Sequence, residues 1–163
     1  RAIGKEMGLA HDQVEGLTIA SAIHDIGKIS LPAEILSKPS QLNSMEMSLI
    51  QTHSQAGYDI LKSVDFPWPV ADIVLQHHER MNGTGYPQHL AGDAILREAR
   101  IVGVADVVET MSSHRPYRPS RGIDSALDEI SAHSGILYDC DAVDACLALM
   151  RQGRFEFTAP VFA

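Results

Sequence analysis

The stretch DQVEGLTIASAIHDIGKISLP, residues 12–32, decides how the chain is read. Asp12 is expected to cap a helix, with Glu15 three positions on completing a capping box. Val14, Leu17 and Ser21 follow at helical spacing and lead into His24. Ser30 to Pro32 end the segment, because the residue before a proline leans towards extended geometry. A face that should enter the core thus carries an imidazole and a carboxylate side by side. Lys28 lies one turn from His24 if the helix persists that far. Metal ligation would explain part of this grouping.

Outward from that stretch the pattern is helical almost throughout. RAIGKEMGLA reads as the tail of an amphipathic helix ending at Gly8. Ser44 is expected to cap a helix running to about residue 63, with Leu49, His53, Ala56 and Ile60 on one stripe. DFPWPV breaks the chain, and a short helix is expected over about 71–80. The loop MNGTGYPQHLAGD precedes the longest apolar helix, about 94–111. HRPYRPSRG then leads to two last helices, near 123–132 and 141–151. No segment alternates polar and apolar residues long enough to be a strand, so the class is all-α.

At 163 residues the chain is most simply one domain, residues 1–163, large enough to bury one core. It starts at Arg1 rather than methionine, so it is expected to be a fragment, truncated at its N-terminus, of a longer signalling protein. No apolar run approaches the ~20 residues of a membrane span. Thirteen basic against 21 acidic residues, a net charge of −8, disfavour a nucleic-acid polymer as partner while permitting a small anion held by local cations. Cys140 and Cys146, if on one helix, lie roughly 9 Å apart, too far for a disulfide. They are read as reduced thiols of a cytoplasmic protein.

The chemistry sits in the polar residues that interrupt apolar faces. His24 and Asp25 are joined by His53, by His77 and His78 in QHHE, and by Asp106 in VGVADVVET. A buried charged aspartate is unfavourable by several kcal/mol unless paired or bound to a cation. Imidazole with carboxylate suits iron, manganese or zinc better than magnesium or calcium. Neighbours on a helix diverge by about 100°, so the 24–25 and 77–78 pairs are expected to reach two ions, with Asp25 bridging.

Each residue taken singly has an ordinary structural reading. His53 alone is more often a hydrogen-bonded core histidine than a ligand. Asp106 could pair with Arg97 or Arg100. Glu79 and Arg80 read equally as a solvated ion pair or as groups standing behind the metal ligands, and Trp68 as a packing anchor. His11, His89, His114 and His133 read as surface residues. The set carries weight only as a set.

HDIGK, followed some fifty residues on by HHERMNGTGYP and then by ADVVETMSSHRPYR, resembles the HD-GYP domain, a subclass of the HD superfamily of metal-dependent phosphohydrolases. The resemblance runs from the first helix to about Arg151. It implies the HD-domain helical fold with additional C-terminal helices, and hydrolysis of cyclic di-GMP to pGpG and in some members on to GMP. It implies metal ligation by His24, Asp25, His53, His77, His78 and Asp106, with two divalent ions, iron or manganese, as cofactors. Asp25 and Lys28 take catalytic roles, Lys28 beside the scissile phosphate. Arg115 and Arg118 match residues that hold phosphates, and Tyr86 lies in the loop that shapes the pocket. In such a site a water shared by two ions loses its proton near neutral pH and attacks phosphorus.

The same resemblance implies diguanylate cyclase (GGDEF) domains as partners through the GYP loop, and a fused upstream regulatory domain of receiver or sensory type. Two departures stand out. Asn82 replaces the family's usual aspartate, an exchange that keeps the turn chemistry. The histidine that the family supplies one helix before the HD pair is missing, and with it the glutamate of three-metal members, so a third ion is not expected and one of the two is expected to be loosely held. Two other readings follow: a weak or inactive module that binds cyclic di-GMP or a cyclase without turnover, and another nucleotide-directed HD phosphohydrolase. HHE…GYP speaks against the latter.

Overall fold

The computed structural model describes residues 1–113 and 122–155. His114, Arg115 and Arg118 lie outside the described residues. The elements are α1 (Ala2–Glu6), α2 (His11–Ile23), a 3-10 turn (Ile26–Ser30), α3 (Ala33–Leu36), α4 (Ser44–Gln51), α5 (His53–Leu61) and α6 (Val70–Gln76). A second 3-10 turn (Gly92–Ala94) leads to α7 (Arg97–Ser112), α8 (Ile123–Ala132) and α9 (Cys140–Arg151). Among the described residues there is no strand, only the isolated bridges Asn82–Ala91 and Ser134–Tyr138. The all-α reading holds.

α7 is the central helix. Its Ala99, Ile101, Val102, Val104 and Val108 are all buried, and it packs against α1, α2, α6, α8 and α9. That apolar girdle is why one Asp106 in mid-helix stands out. On the other side of α6, α5 packs against both α6 and the first 3-10 turn. Trp68 is the anchor expected of it: its ring lies over Gly16, and its Nε1 donates to Asp12 Oδ2 at 3.0 Å. Cys140 and Cys146 are both free.

Several boundaries differ from the sequence reading, each for a local reason. Asp12 does not cap α2; the cap is Ala10, whose N–H donates to Gln13 Oε1 at 3.1 Å. Asn43 rather than Ser44 caps α4, exchanging hydrogen bonds with Glu46 in a capping box. The helix expected over 44–63 breaks at Thr52 into α4 and α5, so Leu49 and Ile60 fall outside the buried stripe, at 38% and 42% exposed. α2 stops at Ile23, α6 at Gln76, and α7 begins at Arg97 rather than near Ala94. Each early stop falls immediately before one of the conspicuous histidines.

Candidate metal centre

A helix leaves its last four carbonyls without internal partners. In α2, α4 and α6 a histidine just past the end supplies one. His24 Nδ1 lies 2.7 Å from Ser21 O, His53 Nδ1 2.7 Å from Ile50 O, and His77 Nδ1 2.6 Å from Val74 O. A carbonyl only accepts, so each Nδ1 carries the proton and each Nε2 presents a lone pair. The same interaction therefore satisfies a helix terminus and fixes the tautomer of a would-be ligand.

The three lone pairs converge. The ring of His77 lies 5.1 Å from that of His24 and 5.5 Å from that of His53, and His78 lies 5.0 Å from His53. Nε2 of His53 and of His77 are buried with no hydrogen-bond partner. Two such orphans in one place would be unfavourable unless something else binds there.

The carboxylates complete the ring of donors. Asp25 lies between two imidazoles, with Oδ2 3.6 Å from His24 Nε2 and Oδ1 3.5 Å from His53 Nε2. Asp106 Oδ1 is 3.7 Å from His24 Nε2 and accepts from Thr110 Oγ1 at 3.2 Å. These separations are long for hydrogen bonds. They lie at or just above the roughly 3 to 3.5 Å at which two donors stand on one ion at metal distances of ~2.1 Å. Two overlapping groups, His24–Asp25–His77 and His53–His77–His78, each bring their ligand atoms within 4.8 Å of one another. The orphaned nitrogens and the donor types fit a divalent transition metal.

One premise of the sequence reading fails here. His77 caps α6 and His24 caps α2, so neither adjacent pair sits on continuing helix. The rings of His77 and His78 are 3.9 Å apart at 42°, and one group contains both. The argument that adjacent ligands must diverge to separate ions therefore does not apply. The alternative for Asp106 also fails for Arg100, which donates to Asp139 and Asp93 at 3.1 Å each.

Electrostatics divides the histidines. Burial pushes His77 down to about 4, and burial also lowers His53 and His78. Burial alone would lower His24 too, but Asp106 and Asp25 outweigh it and the net direction is up. Asp106 is pushed up by burial and down more strongly by His24 and the other imidazoles, so it stays ionised. Burial thus favours the neutral imidazole at His53, His77 and His78, while the carboxylates favour the charged form at His24.

Lys28 Nζ donates to Asp25 Oδ2 at 2.6 Å, so it shares the site although it lies in the 3-10 turn rather than on α2. The turn can come this close because of Gly27: a Cβ there would stand 1.9 Å from His53 O. Tyr86 forms one wall, its ring 4.8 Å from that of His78, and burial raises its phenol. Gly85 lets this loop lie on the backbone of His78–Arg80, where a Cβ would meet Glu79 Cα at 2.4 Å. Asn82 Oδ1 accepts from Thr84 N–H and Oγ1, so the amide does keep the turn.

Of the two readings the sequence left open for Glu79, the solvated ion pair fails. Glu79 is 5% exposed, not a solvated partner of Arg80. Its Oε1 accepts from Gln88 N–H at 2.7 Å and its Oε2 from Leu90 N–H at 3.0 Å. Arg80 instead lies over the Tyr138 ring, 5.4 Å from its centroid. Only its place directly after the histidine pair hinted at Glu79.

Known proteins resemble this chain over most of its length. The HD domain family matches residues 1–142. The chain is 41% identical over 147 residues to the cyclic di-GMP phosphodiesterase response regulator RpfG of Xanthomonas campestris, covering 89% of this chain and 39% of that protein. It is 38% identical over 126 residues to the 3'3'-cGAMP-specific phosphodiesterase 1 of Vibrio cholerae, covering 77% and 29%. Bd1817, a HDG"Y"P protein from Bdellovibrio bacteriovorus, shares the fold with a TM-score of 0.74 at 19% identity, over 92% of this chain and 48% of that one. The chain thus spans about two fifths or less of the length of these curated relatives. No helix among the described residues is long and apolar enough to cross a membrane.

Proposed function

The chain belongs to the HD domain family, and on that premise we propose that it is a metal-dependent phosphodiesterase that opens cyclic di-GMP to pGpG. The observation that carries the reading is the pair of buried, unpartnered Nε2 atoms of His53 and His77 beside Asp25, which faces an imidazole with each oxygen. The names of the two relatives supply the substrate class, a cyclic dinucleotide.

His24, Asp25, His53, His77, His78 and Asp106 would hold two divalent ions, iron or manganese; the two overlapping ligand groups have His77 in common, and Asp25 faces one imidazole of each group with its two oxygens. The chemistry such ions would supply when bound is Lewis acidity, which would lower the pKa of a water towards neutrality and offset charge on phosphoryl oxygens. The chain's own residues do the rest. The backbone-held Nδ1 protons keep three imidazoles in the ligating tautomer. Lys28, released from Asp25, turns to the phosphate, where its ammonium offsets developing charge or protonates the leaving ribose oxygen. Tyr86 closes one side of the pocket. Arg115 and Arg118 are assigned to the phosphates. Pro87 and His89 line a groove with Gln51, Gln55 and Asp59, on the side where a diguanylate cyclase domain would meet the GYP loop.

Hydrolysis of cyclic di-GMP and of 3'3'-cGAMP, assayed with Mn(II) or Fe(II) and with chelator, tests the proposal. Linear product from cyclic di-GMP in the metal-loaded protein only is the expected result. Nucleotide binding without turnover would make the domain a sensor, and neither metal binding nor turnover would remove the reading altogether.

A further inference from the structure

We propose that Glu79 is a positioning residue, latching the 81–90 loop so that Tyr86 and His78 are held at the metal centre. This rests on the reading of that centre given above. Two main-chain N–H groups, of Gln88 and Leu90, converge on one buried side chain. A carboxylate offers an acceptor to each, whereas an amide has only one oxygen and would turn its NH2 towards the other donor. The residue type is therefore dictated by the geometry of the loop.

The latch acts at the site because its two ends are there. On one side Glu79 is bonded directly to His78, whose ring closes the His53–His77–His78 group. On the other side the clamped loop carries Tyr86, whose N–H donates to His78 O at 3.3 Å and whose ring leans on His78 at 31°. His78 lacks the carbonyl hydrogen bond that orients His24, His53 and His77. Its ring is held by packing against His53, His77 and Tyr86, and of these Tyr86 is carried by the loop that Glu79 secures. Residues that orient a ligand in this way typically change metal affinity or activity by about 10- to 100-fold when removed.

The test compares wild type with Glu79→Gln and Glu79→Ala in the full chain. Three quantities are read: amide exchange at Gln88 and Leu90, the ring resonances of His78 and Tyr86, and Mn(II) affinity by chelator competition. In Glu79→Gln one of the two amides should exchange faster, both rings should shift, and Mn(II) affinity should fall about 10-fold. Glu79→Ala should be more severe; if it fails to fold, Glu79→Gln decides alone. Unmoved ring resonances with Mn(II) affinity within about 2-fold of wild type would overturn the latch, whatever the exchange rates. Wild type that binds Mn(II) but leaves cyclic dinucleotides intact would instead defeat the phosphodiesterase reading, and the ring shifts would still decide the latch.

Discussion

The ammonium of Lys28 sits 2.6 Å from Oδ2 of Asp25, and this is the oxygen that also faces His24. A bound cation and the lysine would therefore compete for one carboxylate oxygen. Lys28→Met keeps the stem and removes the charge. Mn(II) affinity is expected to stay level or rise a few-fold, since a like charge has left the site. Turnover should fall by about 100-fold, the low end of what a positioned proton donor contributes. Turnover at the wild-type rate would reduce Lys28 to a mere holder of Asp25.

The histidines make the metal-free protein sensitive to acid. His77 has a folded pKa of about 4 against an unfolded value near 6.5, so the unfolded chain binds more protons between those values. Its contribution, about 3 kcal/mol, is present above pH ~6.5 and is lost as the pH falls towards ~4. His53 and His78, also lowered, act in the same direction. His24 is raised and opposes them, stabilising below ~6.5 and losing that as the pH rises through its folded value. With three groups against one, urea unfolding in chelator should show stability falling by about 3 kcal/mol or more from pH ~7.5 to pH ~4. A flat profile would mean that water or protein groups already satisfy the buried nitrogens.

What could be read in advance divides along physical lines. Each of His24, Asp25, His53, His77, His78 and Asp106 interrupts an apolar pattern, and burying polar groups demands a reason, so their convergence was legible. Where the helices stop was not. Periodicity continues through Thr52, and nothing in IVLQHHER announces that His77 turns back on Val74. The ends are set by tertiary contacts, such as Met81 N–H on Leu137 O at 3.1 Å and Leu96 N–H on Gln76 Oε1 at 2.8 Å. The two readings of Glu79 stayed open for the same reason: its partners are main-chain amides nine and eleven residues away, which leave no mark on side-chain pattern.

The first 3-10 turn reaches α5 only because residue 27 has no side chain. A methyl there would stand 1.9 Å from His53 O and 2.5 Å from Gly57 N, both backbone atoms that cannot step aside. Gly27→Ala must push the turn off α5, carrying Asp25 and Lys28 away from His53. The expected loss is at least about 3 kcal/mol by thermal or urea unfolding, the upper range for overpacking, together with loss of Mn(II) binding. A stable variant that still binds Mn(II) would show that the turn and α5 are not locked together.

Variants of Asp25 and His78 test whether Asp25 serves two ions and His78 one. His78 and Asp25 each belong to one of the two candidate groups, which have His77 in common, but the oxygens of Asp25 face His24 of one group and His53 of the other. Wild type is expected to hold about two Mn(II) per chain, and saturation of each site at 100 times its dissociation constant should add about 2.7 kcal/mol per site to its stability. His78→Ala should leave about one ion and part of that gain. Asp25→Asn, similar in shape but neutral, should weaken both ions and remove most of the gain, because a carboxylate that bridges is lost to each. Metal analysis after gel filtration, paired with unfolding in Mn(II) and in chelator, gives both readouts. If Asp25→Asn kept one ion at full affinity, Asp25 would serve a single ion and the shared-carboxylate arrangement would be wrong.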